Sequence, residues 1–155
     1  MNANETMGIY YPTEDTVNLY QYIYKNAQVG MGSIGKLLEI QDCGEITEIL
    51  HGQRKGYTAI LRDAANALAK CGIRPTGMRG LEKLHTCMMI KCSVKNKEHS
   101  LPRITGMVIL GTTIGSIEGA KKQSQCPGAD DDSKALMERL LRFEEANCRS
   151  LRAFL

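Results

Sequence analysis

The sequence predicts an all-α protein: an antiparallel bundle of four long helices, with a fifth helix as a crossover between the two pairs. Three observations predict it. Apolar residues recur every three or four positions over four separate stretches of similar length, the spacing that lines one face of a helix. No stretch alternates apolar and polar residues between hairpin turns, so no sheet is expected. Trp is absent and Phe occurs only twice, which leaves Leu, Ile, Met, Val and Ala to build a helix-on-helix core.

The first helix is expected over 14–41. Thr13 follows Pro12 as its N-cap, and Glu14 and Asp15 set acids in the first turn, where the helix dipole favours them. Val17, Tyr20, Tyr24, Ala27, Met31, Ile34 and Leu38 form its apolar stripe. After a short break over 41–44, a second helix expected over about 43–71 carries Ile46, Leu50, Gln53, Tyr57, Ile60, Leu61, Ala64 and Leu68 on one face. Its stop is well marked: Lys70 in the last turn, Gly72 in the C′ position, Ile73 as its apolar contact, then Pro75.

A crossover helix is expected over 79–96, with Leu81, Leu84, Met88, Met89 and Cys92. The third bundle helix, 100–125, opens on Ser100 as cap, tolerates Pro102 in its first turn, and presents Ile104, Met107, Gly111, Ile114 and Glu118. Pro127 and Gly128 break the chain. Asp130 to Asp132 then begin the last helix, 130–154, with Leu136, Met137, Leu140, Leu141, Cys148 and Leu151 inward. Each bundle helix would span roughly 40 Å at 1.5 Å per residue. The connection over 73–99 exceeds an ordinary bundle loop, and its helical middle alone covers roughly 27 Å. It can carry the chain back along the bundle, so that the third helix runs parallel to the second.

With 155 residues, the chain is one domain in size: a flexible segment, 1–12, followed by a single bundle, 13–155. Its 43% hydrophobic and 24% charged residues exclude wholesale disorder. A net charge of +3, with Lys and Arg interspersed among Asp and Glu, lacks the clustered basic footprint of a nucleic-acid binder. The N-terminus has no basic start and no apolar run, so no signal peptide is expected. The longest apolar stretch, 104–117, falls short of the ~20 residues of a membrane span. The expected location is the cytoplasm. Six cysteines without a C-x-x-C pair read as buried thiols in a reducing compartment.

The layout of a helix pair, Gly72 to Pro75, a basic crossover helix opening on Gly80-Leu-Glu-Lys-Leu-His85, and a second pair resembles a bacterial branch of the ferritin-like superfamily over 13–155. The resemblance implies a ferritin-like bundle with one long crossover. Metal-using members carry an inward Glu on one helix of each pair and an inward Glu-x-x-His on the other, since positions i and i+3 share a face. The first helix here has no acid between Asp15 and Glu39. Glu48-x-x-His51 has the spacing, but Glu48 falls roughly 180° and His51 roughly 120° from the centre of the second helix's stripe. Glu82-x-x-His85 has it too, on the crossover. Glu118 and Glu144 are read as inward, with Asn147 where the last helix would need His. These two carboxylates differ in height by roughly 12 Å, too far to bridge one metal pair. A di-metal centre is therefore not expected, and no cofactor is required.

Other motifs have competing explanations. Gly30-x-Gly32-x-x-Gly35 matches a dinucleotide fingerprint in spacing but sits in a helical stretch, where small residues serve close packing. Gly111, Gly115 and Gly119 form a small-residue ridge for the same purpose or for a subunit contact. His85, Cys87, Met88, Met89 and Cys92 hold soft donors, yet Cys87 and Cys92 diverge by roughly 140° on a helix. Tyr57 with Arg54, Lys55 and Arg62 suggests an anion groove or a solvated flank. The leading expectation is a non-catalytic bundle acting through self-association, as a dimer or larger, or through a protein partner, with no nucleic acid and no membrane. The alternative is a metal-handling protein for iron, zinc or copper drawing on Glu48, His51, Glu82, His85, Glu118 and Glu144. A third reading is a bundle with a cavity for a small apolar ligand between its Tyr- and Met-rich faces.

Overall fold

A computed structural model of the chain describes residues 10–76 and 100–155. The described residues form four helices: α1 Glu14–Ile40, α2 Thr47–Lys70, α3 Leu101–Gln125 and α4 Asp131–Leu151. Short 3-10 turns, Gly44–Ile46 and Arg152–Phe154, precede α2 and follow α4, so the second helix begins at Thr47 and not at 43, and the last ends at Leu151 and not at 154. No strand occurs among the described residues. The expected crossover helix over 79–96, with its soft-donor cluster, lies outside them.

Local chemistry sets the helix ends. Thr13 caps α1, its hydroxyl accepting from the Thr16 amide at 3.1 Å. Asp130 caps α4 by accepting from the Ser133 amide at 2.8 Å. At the end of α2, Gly72 adopts φ +71°. Its amide reaches the Ala69 carbonyl at 2.9 Å, and the Ile73 amide reaches the Leu68 carbonyl at 2.9 Å. That pair of bonds satisfies carbonyls a helix end leaves open, and φ in this range favours glycine. Ser100 stands at the N-cap of α3, but its side chain makes no capping bond; Pro102 in the first turn has no amide hydrogen to be satisfied.

Neighbouring helices run antiparallel. Gly30 and Gly35 of α1 lie under Tyr57 and Arg54 of α2. Tyr22 of α1 donates to the Gly115 carbonyl of α3 at 2.7 Å, and Asp15 accepts from the Gly128 amide beyond the end of α3 at 2.7 Å. Arg139 of α4 pairs with Asp63 of α2 at 2.6 Å, while Gly119 of α3 packs on Leu141 and Met137 of α4. The α1–α4 diagonal is parallel and close, closed by Asn26 on Glu144 at one level and Thr16 on the Asp130 amide at another. Helices α2 and α3 also run in one direction. The α2–α3 connection thus leaves at the end where α1 begins and returns at the opposite end, as the length of that segment anticipates.

Leu19, Ile23, Leu50, Ile60, Leu68, Met137, Leu140 and Leu151 fill the centre with almost no exposure. On α2 the expected Leu50, Gln53, Tyr57, Ile60, Ala64 and Leu68 are buried, Leu61 is half-buried, and Ile46 is buried in the turn before the helix. On α3 the expected stripe is not the one observed. The buried residues are Ile104, Thr105, Val108, Thr112 and Gly119, so the helix is turned from the expected Ile104–Met107–Gly111–Ile114–Glu118 face. The middle of α3 is apolar or small nearly all round, so periodicity gives little preference for one face. The rotation leaves Leu110, Ile114 and Ile117 exposed. No helix among the described residues is long and apolar enough to cross a membrane.

Candidate functional site

The rotation of α3 decides what its neighbours face. Gly30 and Ser33 of α1 and Gly111 and Gly115 of α3 line a cleft of about 450 Å³ between the two helices. Tyr22, Asn26, Val29 and Ile34 line its α1 wall; Val108, Thr112 and Ile114 line the α3 wall. Lys25 and Glu118 stand on its rim, and Tyr57 of α2 and Glu144 of α4 close its floor. Sealed and dry, a void this large would cost on the order of 10 kcal/mol, comparable to the whole stability of a domain. The exposed rim instead lets the cleft exchange its contents with solvent.

Glu144 is the chemical centre of the floor. Its residue is 1% exposed. Oε1 accepts from Asn26 Nδ2 at 2.9 Å and from the Tyr57 hydroxyl at 3.1 Å, whereas Oε2 is buried without a partner. Burial pushes its pKa up from 4.5 to about 7, against the opposing effect of the Asn26 and Tyr57 bonds. Burial, and next the Glu144 charge, hold the Tyr57 hydroxyl well above its ordinary range. Burial followed by Glu144 and Glu118 raises Tyr22 likewise. Both phenols therefore remain hydrogen-bond donors throughout the neutral range.

Packing holds this arrangement in place. A Cβ on Gly30 would lie 2.5 Å from Tyr57 Cζ, so only glycine admits the ring where it stands. Phe143 meets the same ring edge-on, with centroids 4.9 Å apart. A Cβ on Gly115 would lie 2.9 Å from Asn26 Oδ1 and 3.1 Å from Glu144 Oε1. Beyond Glu144 the polar layer continues one turn along α4: Asn147 is buried, and its carbonyl accepts from Gln53 Nε2 at 3.4 Å. Gln53 Oε1, Asn147 Nδ2 and Thr105 Oγ1 are buried without partners.

The residues singled out as candidate ligands are scattered. Glu48 and His51 are exposed on the outer side of α2, as the helical geometry requires. Glu118 is not inward: it is exposed and paired with Lys121 at 2.8 Å, because α3 is turned from the expected face. Glu144 is inward, as expected. Glu82 and His85 lie outside the described residues, as do Cys87, Met88, Met89 and Cys92. Among the described residues no group of three or more His, Cys, Asp or Glu side chains comes together to hold a metal ion. Cys43, Cys126 and Cys148 are buried free thiols, and Cys71 is half-buried.

The glycine motif of α1 is helical throughout and serves packing against Tyr57 and Arg54. Gly115 and Gly119 likewise pack inside the bundle. Tyr57 points into the core, away from Arg54, Lys55 and Arg62, which line an outer depression with His51. Asn26 was missed from the sequence: a single amide on a long amphipathic helix carries no signal until a carboxylate from another helix faces it. The chain matches no protein-family model, and no curated protein matches it.

Proposed function

We propose that this chain is a non-catalytic, ferritin-like four-helix bundle that binds a small, largely apolar molecule in the cleft between α1 and α3. The observation that carries the reading is the cleft itself: about 450 Å³, mostly apolar walls, and a polar floor where Tyr57, Asn26 and Glu144 meet. That size and lining fall within the range of small-molecule sites, roughly 300–1,000 Å³. The ferritin-like part is supported by helix order. Antiparallel neighbours, parallel α2 and α3, and one connection running end to end are the layout of that superfamily. Glu144 and Asn147 stand inward at the i, i+3 spacing of its last-helix ligands. Facing them are the neutral Asn26, Gln53 and Tyr57, a set that suits hydrogen bonding better than holding iron, zinc or copper.

A second observation supports partner binding or self-association. Leu110, Ile114 and Ile117 are 59%, 44% and 52% exposed at spacings of four and three, an apolar stripe along α3 that meets the cleft at Ile114.

The test of the cleft uses hexan-1-ol. Each buried methylene contributes about 0.8 kcal/mol. At ten times the dissociation constant, bound alcohol stabilises the fold by about 1.4 kcal/mol, a rise in melting temperature of roughly 3–6 °C. Val29→Phe, which fills the α1 wall, is expected to abolish that rise while keeping the helical signal. An equal rise in both proteins would refute binding in the cleft.

A further inference from the structure

We infer that the cleft selects a lipophilic amine, its hydrocarbon part lying between α1 and α3 and its ammonium nitrogen donating to the Glu144 carboxylate. The inference rests on the ligand-binding reading above and names the class of ligand.

The floor is rich in acceptors and short of donors. Asn26 Nδ2 and the Tyr57 hydroxyl are both spent on Glu144 Oε1, and the Tyr22 hydroxyl on the Gly115 carbonyl. Asn26 turns its nitrogen toward Glu144, which leaves its Oδ1 on the Gly115 side. Oε2 remains buried without a donor. Among the described residues no Lys, Arg or His forms an ion pair with Glu144.

A buried carboxylate without a counter-charge is costly, and the group avoids that cost by holding its proton. An ammonium removes the cost in another way: it brings three donors and the opposite charge. Charge-assisted bonds of this kind are roughly twice as strong as neutral ones. An alcohol supplies one donor and no charge, and a carboxylate ligand would repel. Tyr57, on the floor, and Tyr22, on the α1 wall, add aromatic surface that a cation favours. At the rim Lys25 is half-buried and Glu118 is exposed and paired with Lys121.

The experiment titrates the full chain with n-hexylammonium, hexan-1-ol and hexanoate by isothermal calorimetry, at pH 8 and pH 5.5. At pH 8 hexylammonium is expected to bind at least tenfold more tightly than hexanol, with hexanoate weakest. At pH 5.5, where Glu144 holds its proton, the amine should lose about tenfold or more while hexanol is unchanged. Glu144→Gln should erase both the preference and its pH response, and Glu144→Asp, which withdraws the carboxylate by one methylene, should weaken the amine alone. The other titratable groups facing Glu144 are Tyr22 and Lys25 on α1, Tyr57 on α2, Glu118 on α3 and Cys148 on α4. All five remain in Glu144→Gln, so a pH response that survives the substitution belongs to them and overturns the assignment. Hexanol bound as tightly as the amine at pH 8 overturns it as well and leaves the cleft reading standing. No binding of any probe overturns the cleft reading itself. The pH series on the unaltered chain tests the inference even if a variant fails to fold.

Discussion

Raising the pH should destabilise this protein through one side chain. Glu144 is 1% exposed and titrates at about 7 in the folded chain, against 4.5 for an ordinary glutamate. Between those values the unfolded chain has released the proton and the folded chain still holds it. The folded state then binds more protons, so stability falls as pH rises. The contribution is complete below about pH 4.5, declines through the folded pKa, and is gone by about pH 8. Its full size is about 3 kcal/mol, a large share of a marginal fold's stability. Glu144→Gln removes the titration while keeping an acceptor for Asn26 and Tyr57. It also sets an amide nitrogen where Oε2 was, without an acceptor, at a pH-independent cost of about 1–3 kcal/mol. Urea unfolding followed by far-UV circular dichroism, from pH 5 to pH 8, measures both proteins. Subtracting the variant cancels the surface carboxylates common to the two. The unaltered chain should lose about 2–3 kcal/mol relative to Glu144→Gln over that range, and the variant should overtake it or draw level near pH 8. A difference that stays flat within about 0.5 kcal/mol would refute the claim that Glu144 is buried without a counter-charge.

Two further outcomes follow from packing. Gly30→Ala places a methyl 2.5 Å from Tyr57 Cζ, in a ring held by Phe143 and Glu144. The clash costs about 1–3 kcal/mol and outweighs the helix-propensity gain of about 0.5–1 kcal/mol; a variant as stable as the parent in urea would mean the ring is free to move. Replacing Leu110, Ile114 and Ile117 together by Gln should leave the unfolding free energy in urea within about 0.5 kcal/mol of the parent and abolish any dimer seen by sedimentation. A dimer that survives the triple substitution would place the contact elsewhere.

The helices and their ends were legible because their causes are local. Thr13, Asp130 and Gly72 act within a turn of their own residue, and α2 alternates apolar and charged faces strongly enough to fix its orientation. Glu144 could be set inward for the same reason, since it lies on the strip of α4 that holds Met137, Leu140 and Leu151. Glu118 could not be placed, because α3 offers apolar or small residues on most sides and its rotation is decided by the helices packed against it. The site is less legible still. Asn26, Tyr57, Gly115 and Glu144 come from four different helices, and no spacing along the chain records that they meet. What the sequence by itself determined is a set of four helices, the stop of α2 at Gly72 and the burial of one carboxylate, all governed by neighbours three and four residues away; the start of α2 and the end of α4 fall inside the expected limits. The tertiary structure alone decided which face α3 turns inward, the cleft this opens against α1, and the partners of Glu144. Those depend on side chains of different helices, as far apart in the chain as Asn26 and Glu144, brought together only when the helices pack.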